Sequence, residues 1–320
     1  MTSTSILDSR KTARRRPRVT GGRPPAPQAS PDEDRPERPE PPLCVLSWDL
    51  EGADVWSAAD WIADQGADLV LLQGLPTQHV ARLHEALAMH LYTRAGEIDG
   101  VCSAVAVADD GPLVVGADPL PLAQPWPFAT PVAVRLRAQG SGRERPLLRI
   151  LSVDACSWSG PRRLDEALWL TALAQRESVL AAGNWHCAPI GQGTIVREIT
   201  DPVLGCHRSY PVGKNTWFGD DRPDRVLTNG GLPDPACAPE ARPPGPTTGH
   251  RSGDRPLERL HRLHLATALL PAVLGVITSD DPDLRKCAVH LPVTADLDVT
   301  RLNTGLREDA ARRAARPPCS

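Results

Sequence analysis

Carboxylate, amide and imidazole side chains recur near the ends of short apolar segments in this 320-residue chain. Six such segments stand out: 45–50, 71–74, 150–154, 182–186, 259–263 and 288–293. Their polar groups include Asp49, Asp154, Asn184, His186, His261 and His290. Carboxylates and imidazoles act as general acids and bases and as metal ligands. A chemical function of this chain would therefore depend on these residues.

Short strands and helices alternate around these segments. Apolar runs and alternation predict strands at 44–48, 68–73, 101–108, 131–137, 147–153, 178–182, 257–267 and 274–278, and residues 287–297 close the domain. Helical spacing predicts helices at 56–65, 79–89 and 162–175, with a short one near 222–229. This mixture predicts one α/β domain.

Composition excludes some classes of protein. No run approaches the roughly 18 apolar residues of a membrane span. The net charge of -3 provides no overall attraction to nucleic acid. The eight cysteines are scattered without a C-x-x-C pair, and no signal peptide is apparent. We therefore expect reduced thiols, a cytoplasmic location and no membrane association.

The two ends of the chain differ from its middle. Residues 1–42 combine a basic cluster at 10–18 with a Pro-rich acidic stretch, which predicts a disordered arm. The basic part of this arm is a candidate contact for phosphates. Residues 43–298 form the predicted domain, and residues 299–320 are expected to be a polar C-terminal tail with a frayed helix.

The order and spacing of the six segments resemble the endonuclease/exonuclease/phosphatase superfamily, whose fold is shared by DNase I, abasic-site endonucleases, inositol-phosphate phosphatases and sphingomyelinases. The resemblance covers about residues 43–298. It is most specific at 148–189, where a polar strand end precedes Arg162, Arg163, a helix and an "AAG-polar-W-polar" turn. It implies two packed β-sheets flanked by helices, a DNase I-like four-layer sandwich.

The resemblance also implies a site. In that family, strand ends deliver an Asn, a Glu, a His, an Asp–Asn turn, a further Asp and an Asp–His pair into one cleft. Carboxylates hold Mg²⁺, which polarises the phosphoryl oxygen. A carboxylate or an imidazole activates the attacking water.

This sequence departs from that pattern at most positions. The first-strand Asn is Asp49, and the metal-binding Glu is Gly74. The middle-strand His is Asp154, and the Asp–Asn turn becomes Asn184 and His186. The next Asp falls on His261, or on His264 if the register slips. In the final pair the Asp is Val289, so His290 alone keeps its type.

These substitutions predict a pseudoenzyme with a binding or regulatory role. The catalytic positions would be His290, Asn184, His186 and Asp154, and the metal positions Asp49 and His261. Loss of one acid–base group costs about 10² to 10⁴ in rate. Because the carboxylates that would hold Mg²⁺ are substituted, no cofactor is expected. The ligand would be phosphate-containing or a nucleic acid, bound in the cleft or by the basic arm, and the protein a monomer.

Two alternatives stay open. If the polar residues converge in one cleft, two carboxylates and up to three imidazoles would suit Zn²⁺, Mn²⁺ or Fe²⁺ better than Mg²⁺. The chain would then be a divergent metal-dependent phosphoesterase or nuclease with a rearranged Asp/His site. The other alternative is a decaying gene product without a selected role.

Three further features are expected to be structural. Trp48, Trp169 and Trp185 lie in segments that the fold would bury. The acidic run 220–224 resembles a helix start capped by Asp221 or Asp224. The segment 247–250 is interpreted as a turn.

Overall fold

The computed structural model describes residues 41–95, 100–116, 128–136, 146–192, 208–213, 216–237, 245–250 and 258–315. The predicted arm lies outside this range except for its last two residues, and so does the end of the predicted C-terminal tail. Within the described residues, every helix is too short or too polar to cross a membrane.

Among the described residues, the larger sheet has six strands. They are β1 (Leu43–Asp49), β2 (Leu69–Pro76), β3 (His90–Ala95), β4 (Val101–Val107), β12 (Val273–Thr278) and β13 (Val293–Leu297). Their order is β12-β13-β1-β2-β4-β3, and β1 runs parallel to β2 while the other neighbours are antiparallel. The parallel pair places Asp49 opposite Gln73 at the carboxyl ends of the two strands.

The second sheet has five strands in the part of the chain that the structure describes. They are β5 (Leu113–Val115), β6 (Ala129–Leu136), β7 (Leu148–Asp154), β8 (Ser178–Asn184) and β11 (His261–Leu265), in the order β11-β8-β7-β6-β5. Strands β7 and β8 are parallel and end together at Asp154 and Asn184. A separate hairpin joins β9 (Ser209–Gly213) to β10 (Thr216–Gly219).

Helices connect and cover the sheets. They are α1 (Val55–Gln65), α2 (Val80–Leu87), α3 (Gly160–Ala174), α4 (Arg222–Asn229), α5 (Pro282–Cys287) and α6 (Val299–Ala314), with 3-10 turns at Thr77–His79, Pro235–Cys237 and Thr267–Ala272. Side-chain caps start several of them: Asp54 accepts from Ser57 N before α1, and Ser159 accepts from Arg162 N before α3. Such caps satisfy amide groups that the first helical turn leaves unpaired.

Apolar side chains fill the space between the sheets and beneath the helices. Val45 and Leu71 of the larger sheet share one buried cluster with Leu151 of the second sheet. On the outer face of the larger sheet, Trp48 packs in another cluster with Ile62 of α1. Ala167 and Leu170 of α3 belong to the first of these clusters, which the two sheets share. Two packed sheets flanked by helices confirm the predicted fold class.

Most predicted elements are present, and the differences have physical causes. Strands β3 and β5 and the β9–β10 hairpin were not predicted. Strand β3 is an edge strand with no buried residue and no clear alternation, and β5 has only three residues. The strand predicted over 257–267 is only His261–Leu265. Helix α5, which directly precedes the closing region 287–297, was also missed, although Asp281 caps it and Pro282 starts it.

The predicted polar tail is wrong in one respect. Residues Val299–Ala314 do form a helix, but Val299, Leu302 and Leu306 are buried in the core that the two sheets share. Asp298 caps this helix by accepting from Arg301 N at 2.9 Å. The apolar face is narrow and lies among many arginines, which hid it in the sequence. Helix α6 therefore packs as part of the domain.

Candidate functional site

The two sheets meet through a side-chain contact between β1 and β8. Asn184 Nδ2 donates to Asp49 Oδ2 at 2.7 Å, although the two residues lie 135 positions apart. Both side chains are buried. His290, in the loop between α5 and β13, brings its Nε2 to 3.5 Å from the same Asp49 oxygen. Trp48 Nε1 donates to the His290 carbonyl oxygen at 2.8 Å, which fixes the position of this loop.

Protein groups already engage both oxygens of the Asp49 carboxylate. Oδ1 accepts the backbone N–H of Glu51 at 2.9 Å, and Oδ2 accepts the Asn184 amide. Asp49 is only 3% exposed, so these bonds form in a poorly hydrated place where charge-assisted hydrogen bonds are strong. A cation that bound this carboxylate would compete with these donors.

Gly74 stands at the position that the resemblance in the sequence assigns to a metal-binding Glu. Its φ of +60° lies in the left-handed region, which favours glycine. A Cβ added here would overlap Asp49 Oδ1 and lie 2.8 Å from Glu51 N. The Asp49 carboxylate therefore occupies the space that the Cβ of any side chain at position 74 would need.

Glu51 is a site residue that the sequence interpretation missed. One ligand atom from each of Asp49, Glu51 and His290 lies within 4.8 Å of the others. Glu51 Oε2 is 3.7 Å from His290 Nε2, and its side chain is 71% exposed. The signal for Glu51 in the sequence is a second carboxylate two residues after the end of β1.

The neighbouring carboxylates favour the charged form of His290. Burial opposes this charge, but Asp49 and Glu51 outweigh burial and raise the pKa of His290 above its usual value. Its Nδ1 has no hydrogen-bond partner among the described residues. The imidazolium form is therefore favoured beside two carboxylates.

His186 and Asp154 form a second pair beside the first cluster. His186 Nε2 lies 3.4 Å from Asp154 Oδ1. Burial, with a smaller effect of nearby Arg208, lowers the pKa of His186 to about 3, so its ring is neutral. Burial and the charge of Glu51 raise the pKa of Asp154 to about 6. A neutral imidazole therefore faces a carboxyl group that titrates just below neutral pH.

The backbone at His186 ties this pair to Asn184. Its φ is 48°, a left-handed value that is uncommon for a residue with a Cβ. The backbone N–H of His186 donates to Asn184 Oδ1 at 3.2 Å. Asn184 thus uses both ends of its amide, one toward Asp49 and the other toward the turn that presents His186.

His261 lies at the same level of the second sheet but faces a different partner. It pairs in register with Asn184, and its Nε2 is 3.0 Å from Ser47 Oγ. Its backbone N–H donates to Thr247 Oγ1 at 3.0 Å. His261 is fully buried, and burial together with nearby positive charges lowers its pKa well below the usual value. The structure thus places His261 with Ser47 rather than in the group of Asp49, Glu51 and His290.

Val289 and His264 complete the predicted positions. Val289 Cγ2 lies 3.0 Å from where a Cβ at Gly52 would be, so this side chain packs against the loop after β1. His264 is fully buried, with Nε2 at 3.2 Å from Asp224 Oδ1 and Nδ1 at 2.9 Å from the Leu232 carbonyl oxygen. His264 therefore belongs to a buried network separate from Asp49.

That network corrects the expected capping role of Asp224. Its carboxylate lies 3.3 Å from Arg262 and accepts the backbone N–H of Ile190 at 2.6 Å. Asp221 is the N-cap residue of α4, but its side chain pairs with Arg225 at 2.7 Å instead of capping. Both acidic groups therefore stabilise the fold through ion pairs.

The tryptophans behave largely as predicted. Trp48 and Trp185 are buried, while Trp169 is partly buried and packs edge-on against Phe128 at 5.6 Å. The 247–250 segment joins the His290 loop, because Leu291 N donates to the Thr247 carbonyl oxygen at 2.8 Å. His250 Nε2 lies 2.9 Å from the Ala288 carbonyl oxygen on the same loop.

Neither a protein-family model nor a curated protein matches the sequence. Solved structures do match the fold. An endonuclease/exonuclease/phosphatase from Bacteroides vulgatus aligns with a TM-score of 0.57 and 12% identity over 80% of this chain and 98% of its own.

A 3′ phosphatase from Neisseria, bound to a product DNA hairpin, aligns with a TM-score of 0.54 and 16% identity over 80% of this chain and 99% of its own. A conserved protein of unknown function from Enterococcus faecalis aligns with a TM-score of 0.54 and 12% identity, over 79% and 98% of the two chains. At such identities the likeness concerns the fold. The chain therefore has the fold of the endonuclease/exonuclease/phosphatase superfamily, as its sequence predicted.

Proposed function

We propose that this chain is a catalytically degenerate member of the endonuclease/exonuclease/phosphatase superfamily that binds a phosphate-containing ligand in its cleft without hydrolysing it. The observation that supports the proposal most is the set of contacts made by the Asp49 carboxylate. Its two oxygens accept from Asn184 and from Glu51 N, and it leaves no room for a side chain at Gly74. Mg²⁺ needs several free oxygen ligands in near-octahedral geometry.

The proton-transfer groups support the same proposal. His186, whose low pKa keeps its ring neutral, donates its backbone N–H to Asn184, and His290, whose pKa is raised, lies 3.5 Å from Asp49. In the superfamily pattern the final His is paired with an Asp, but here the preceding residue is Val289. His290 is therefore positioned by the Trp48 contact with its backbone and faces two carboxylates, Asp49 at the end of β1 and Glu51 in the loop that follows.

The ligand class is supported by the fold neighbours. The Neisseria 3′ phosphatase is bound to a DNA hairpin, and another neighbour is the endonuclease domain of a telomere-specific non-LTR retrotransposon, with a TM-score of 0.52. In this chain, Arg208 affects both His186 and His290 electrostatically and is 2.9 Å from Glu258. Glu258 balances part of the charge of Arg208, so the ligand class rests on the fold neighbours.

The proposal is tested by hydrolysis assays with bis-p-nitrophenyl phosphate, plasmid DNA and a 3′-phosphorylated oligonucleotide. Each substrate is incubated with Mg²⁺, Mn²⁺ or Zn²⁺. We expect no turnover above the blank. Turnover that is lost in His290→Ala but kept in His84→Ala, the same change at an exposed histidine of α2, would overturn the proposal.

A divergent metal-dependent phosphoesterase or nuclease is the second candidate, and the grouping of Asp49, Glu51 and His290 favours it. Two carboxylates and one imidazole suit Zn²⁺ or Mn²⁺. Binding would have to displace the proton of His290 and at least one donor to Asp49. Stoichiometric Zn²⁺ or Mn²⁺ in the purified protein, absent from both His290→Ala and Glu51→Gln, would support this candidate against the first.

Three further expectations remain predictions: a cytoplasmic location, a monomeric state and phosphate contact by the arm, residues 1–42. Deleting the arm tests the last of them. Salt-dependent retention on DNA that disappears with the arm would assign the contact to it. Retention that persists would assign the contact to the domain.

A further inference from the structure

The loop between β7 and α3 displays a tryptophan to solvent. Residues 155–159 form this loop, and Trp158 within it is 56% exposed, whereas Trp48 and Trp185 are buried. Large apolar side chains are informative when they are exposed, because most of their surface would otherwise be removed from water. The exposed ring therefore requires an explanation.

Two buried charges fix the shape of this loop. Glu166 accepts the backbone N–H of Cys156 at 2.9 Å, and Arg163 Nη1 donates to the Cys156 carbonyl oxygen at 2.8 Å. Glu166 is 2% and Arg163 1% exposed. Ser159 then caps α3. Burying two charges is costly unless their geometry is good, so the loop is held in one conformation with Trp158 outside.

Arginines accompany two aromatic rings, the exposed Trp158 and the half-buried Tyr210. The guanidinium of Arg162 lies 5.9 Å from the centre of the Trp158 ring, and that of Arg222 lies 4.6 Å from the Tyr210 ring. Arg222 Nη2 is also 3.5 Å from the Cβ position of Gly160, so the two pairs flank the start of α3. We call Trp158, Arg162, Tyr210 and Arg222 the arginine–aromatic rim.

Carboxylates orient both arginines without hiding them. Arg222 pairs with Asp220 at 2.8 Å and stays 39% exposed, and Arg162 lies 3.6 Å from Glu166 and stays 38% exposed. A guanidinium held in one plane can stack on a flat ligand and still contact an anion. The rim therefore presents fixed planar groups to solvent.

The rim lies directly beside the candidate site. Strand β7 ends at Asp154, four residues before Trp158, and Asp154 lies 3.4 Å from His186. Asp220, which pairs with Arg222, also lies 3.7 Å from Arg163 and donates its backbone N–H to the Arg208 carbonyl oxygen at 2.8 Å. Ala188, two residues after His186, also donates its backbone N–H to the Asp220 carbonyl oxygen at 2.9 Å, so backbone contacts link the rim to the candidate site.

We propose that the arginine–aromatic rim binds an unpaired nucleobase of a single-stranded nucleic acid whose phosphate lies toward the cleft. Interleaved basic and aromatic side chains are the groups that bind single strands, because every base has a face for stacking and every nucleotide a phosphate. This inference rests on the proposed function, since it names the ligand that the cleft would hold without hydrolysing it.

The test measures binding of a short fluorescein-labelled single-stranded DNA to the full chain by fluorescence anisotropy in EDTA. Trp158→Ala is expected to weaken binding about 5- to 150-fold, the range of one base stacked on an aromatic ring. Trp158→Tyr should retain most of the affinity. Leu168→Ala removes a different exposed apolar side chain, which lies on α3, and this variant should bind like the wild type.

An abasic oligonucleotide of the same length separates stacking from phosphate contact. It should bind the wild type about as weakly as the normal strand binds Trp158→Ala. Equal binding of Trp158→Ala and the wild type, or equal binding of the abasic and normal strands, would overturn the inference. Cleavage of the strand with Mg²⁺ would refute the proposed function instead and leave the effect of Trp158 in place.

Discussion

The contact between Asn184 and Asp49 predicts a stability loss that depends on pH. Asn184→Asp replaces the donor, 2.7 Å from Asp49 Oδ2, with a second carboxylate. Two unit charges at this distance repel by about 6 kcal/mol at an effective dielectric constant of about 20. Keeping one proton on the pair costs less, about 4 kcal/mol at pH 7 for a carboxyl group of ordinary pKa near 4.

Protonation therefore sets the expected magnitude. The folded variant binds about one proton more than the unfolded chain, so its stability falls by about 1.4 kcal/mol per pH unit above pH 4. Relative to the wild type, we expect a loss of about 4 kcal/mol at pH 7 and about 1 kcal/mol at pH 5. Nearby His290, which favours its charged form, would reduce both values.

Urea unfolding of both proteins between pH 5 and pH 8 measures this difference. Asn229→Asp provides the matched control, because it makes the same change at the exposed end of α4 and should shift stability by only a few tenths of a kcal/mol. A loss for Asn184→Asp that is small and independent of pH would refute the reasoning. It would mean that these two side chains do not meet in a buried place.

Three other substitutions probe separate parts of the structure by chemical unfolding. Gly74→Ala and Gly66→Ala both place a Cβ at positive φ, which costs about 1–2 kcal/mol of unfolding free energy. Only position 74 is crowded, so Gly74→Ala should lose about 1–3 kcal/mol more. Equal losses would contradict the overlap with the neighbouring carboxylate. His290→Gln should cost more stability at pH 6 than at pH 9. A raised histidine pKa contributes stability below about pH 6.5, and this stability is lost as the pH rises through the pKa of the folded state. An equal cost at both pH values would argue against a charged imidazole. Asp224→Asn leaves the buried Arg262 without its carboxylate and should cost about 3–5 kcal/mol, whereas a near-neutral result would show that the pair is not buried.

The sequence predicted the fold because local patterns agree with the tertiary structure. Buried strands such as β1 and β8 are short apolar runs, and the helix between β7 and β8 has a clear cap and period. The sequence did not predict the elements that are only partly buried. Strand β3 lies at a sheet edge, and the apolar face of α6 is narrow, so neither has a strong period.

The candidate site was predictable by position but not by contact. The ends of β1 and β8 were expected to meet, and Asp49 and Asn184 do meet. The role of Glu51 was not apparent, because it depends on how the loop after β1 turns back toward His290. Nor could one sequence reveal that Asp49 and Gly74 compete for the same space, since that requires the distance between two neighbouring strands.

The most direct test of the central claim is a crystal structure of the protein soaked in Mn²⁺, with anomalous scattering measured to locate the ion. Our account predicts no ion at Asp49 and an intact contact between Asn184 Nδ2 and the Asp49 carboxylate. An anomalous peak between Asp49 and Glu51, with the amide of Asn184 displaced, would contradict it.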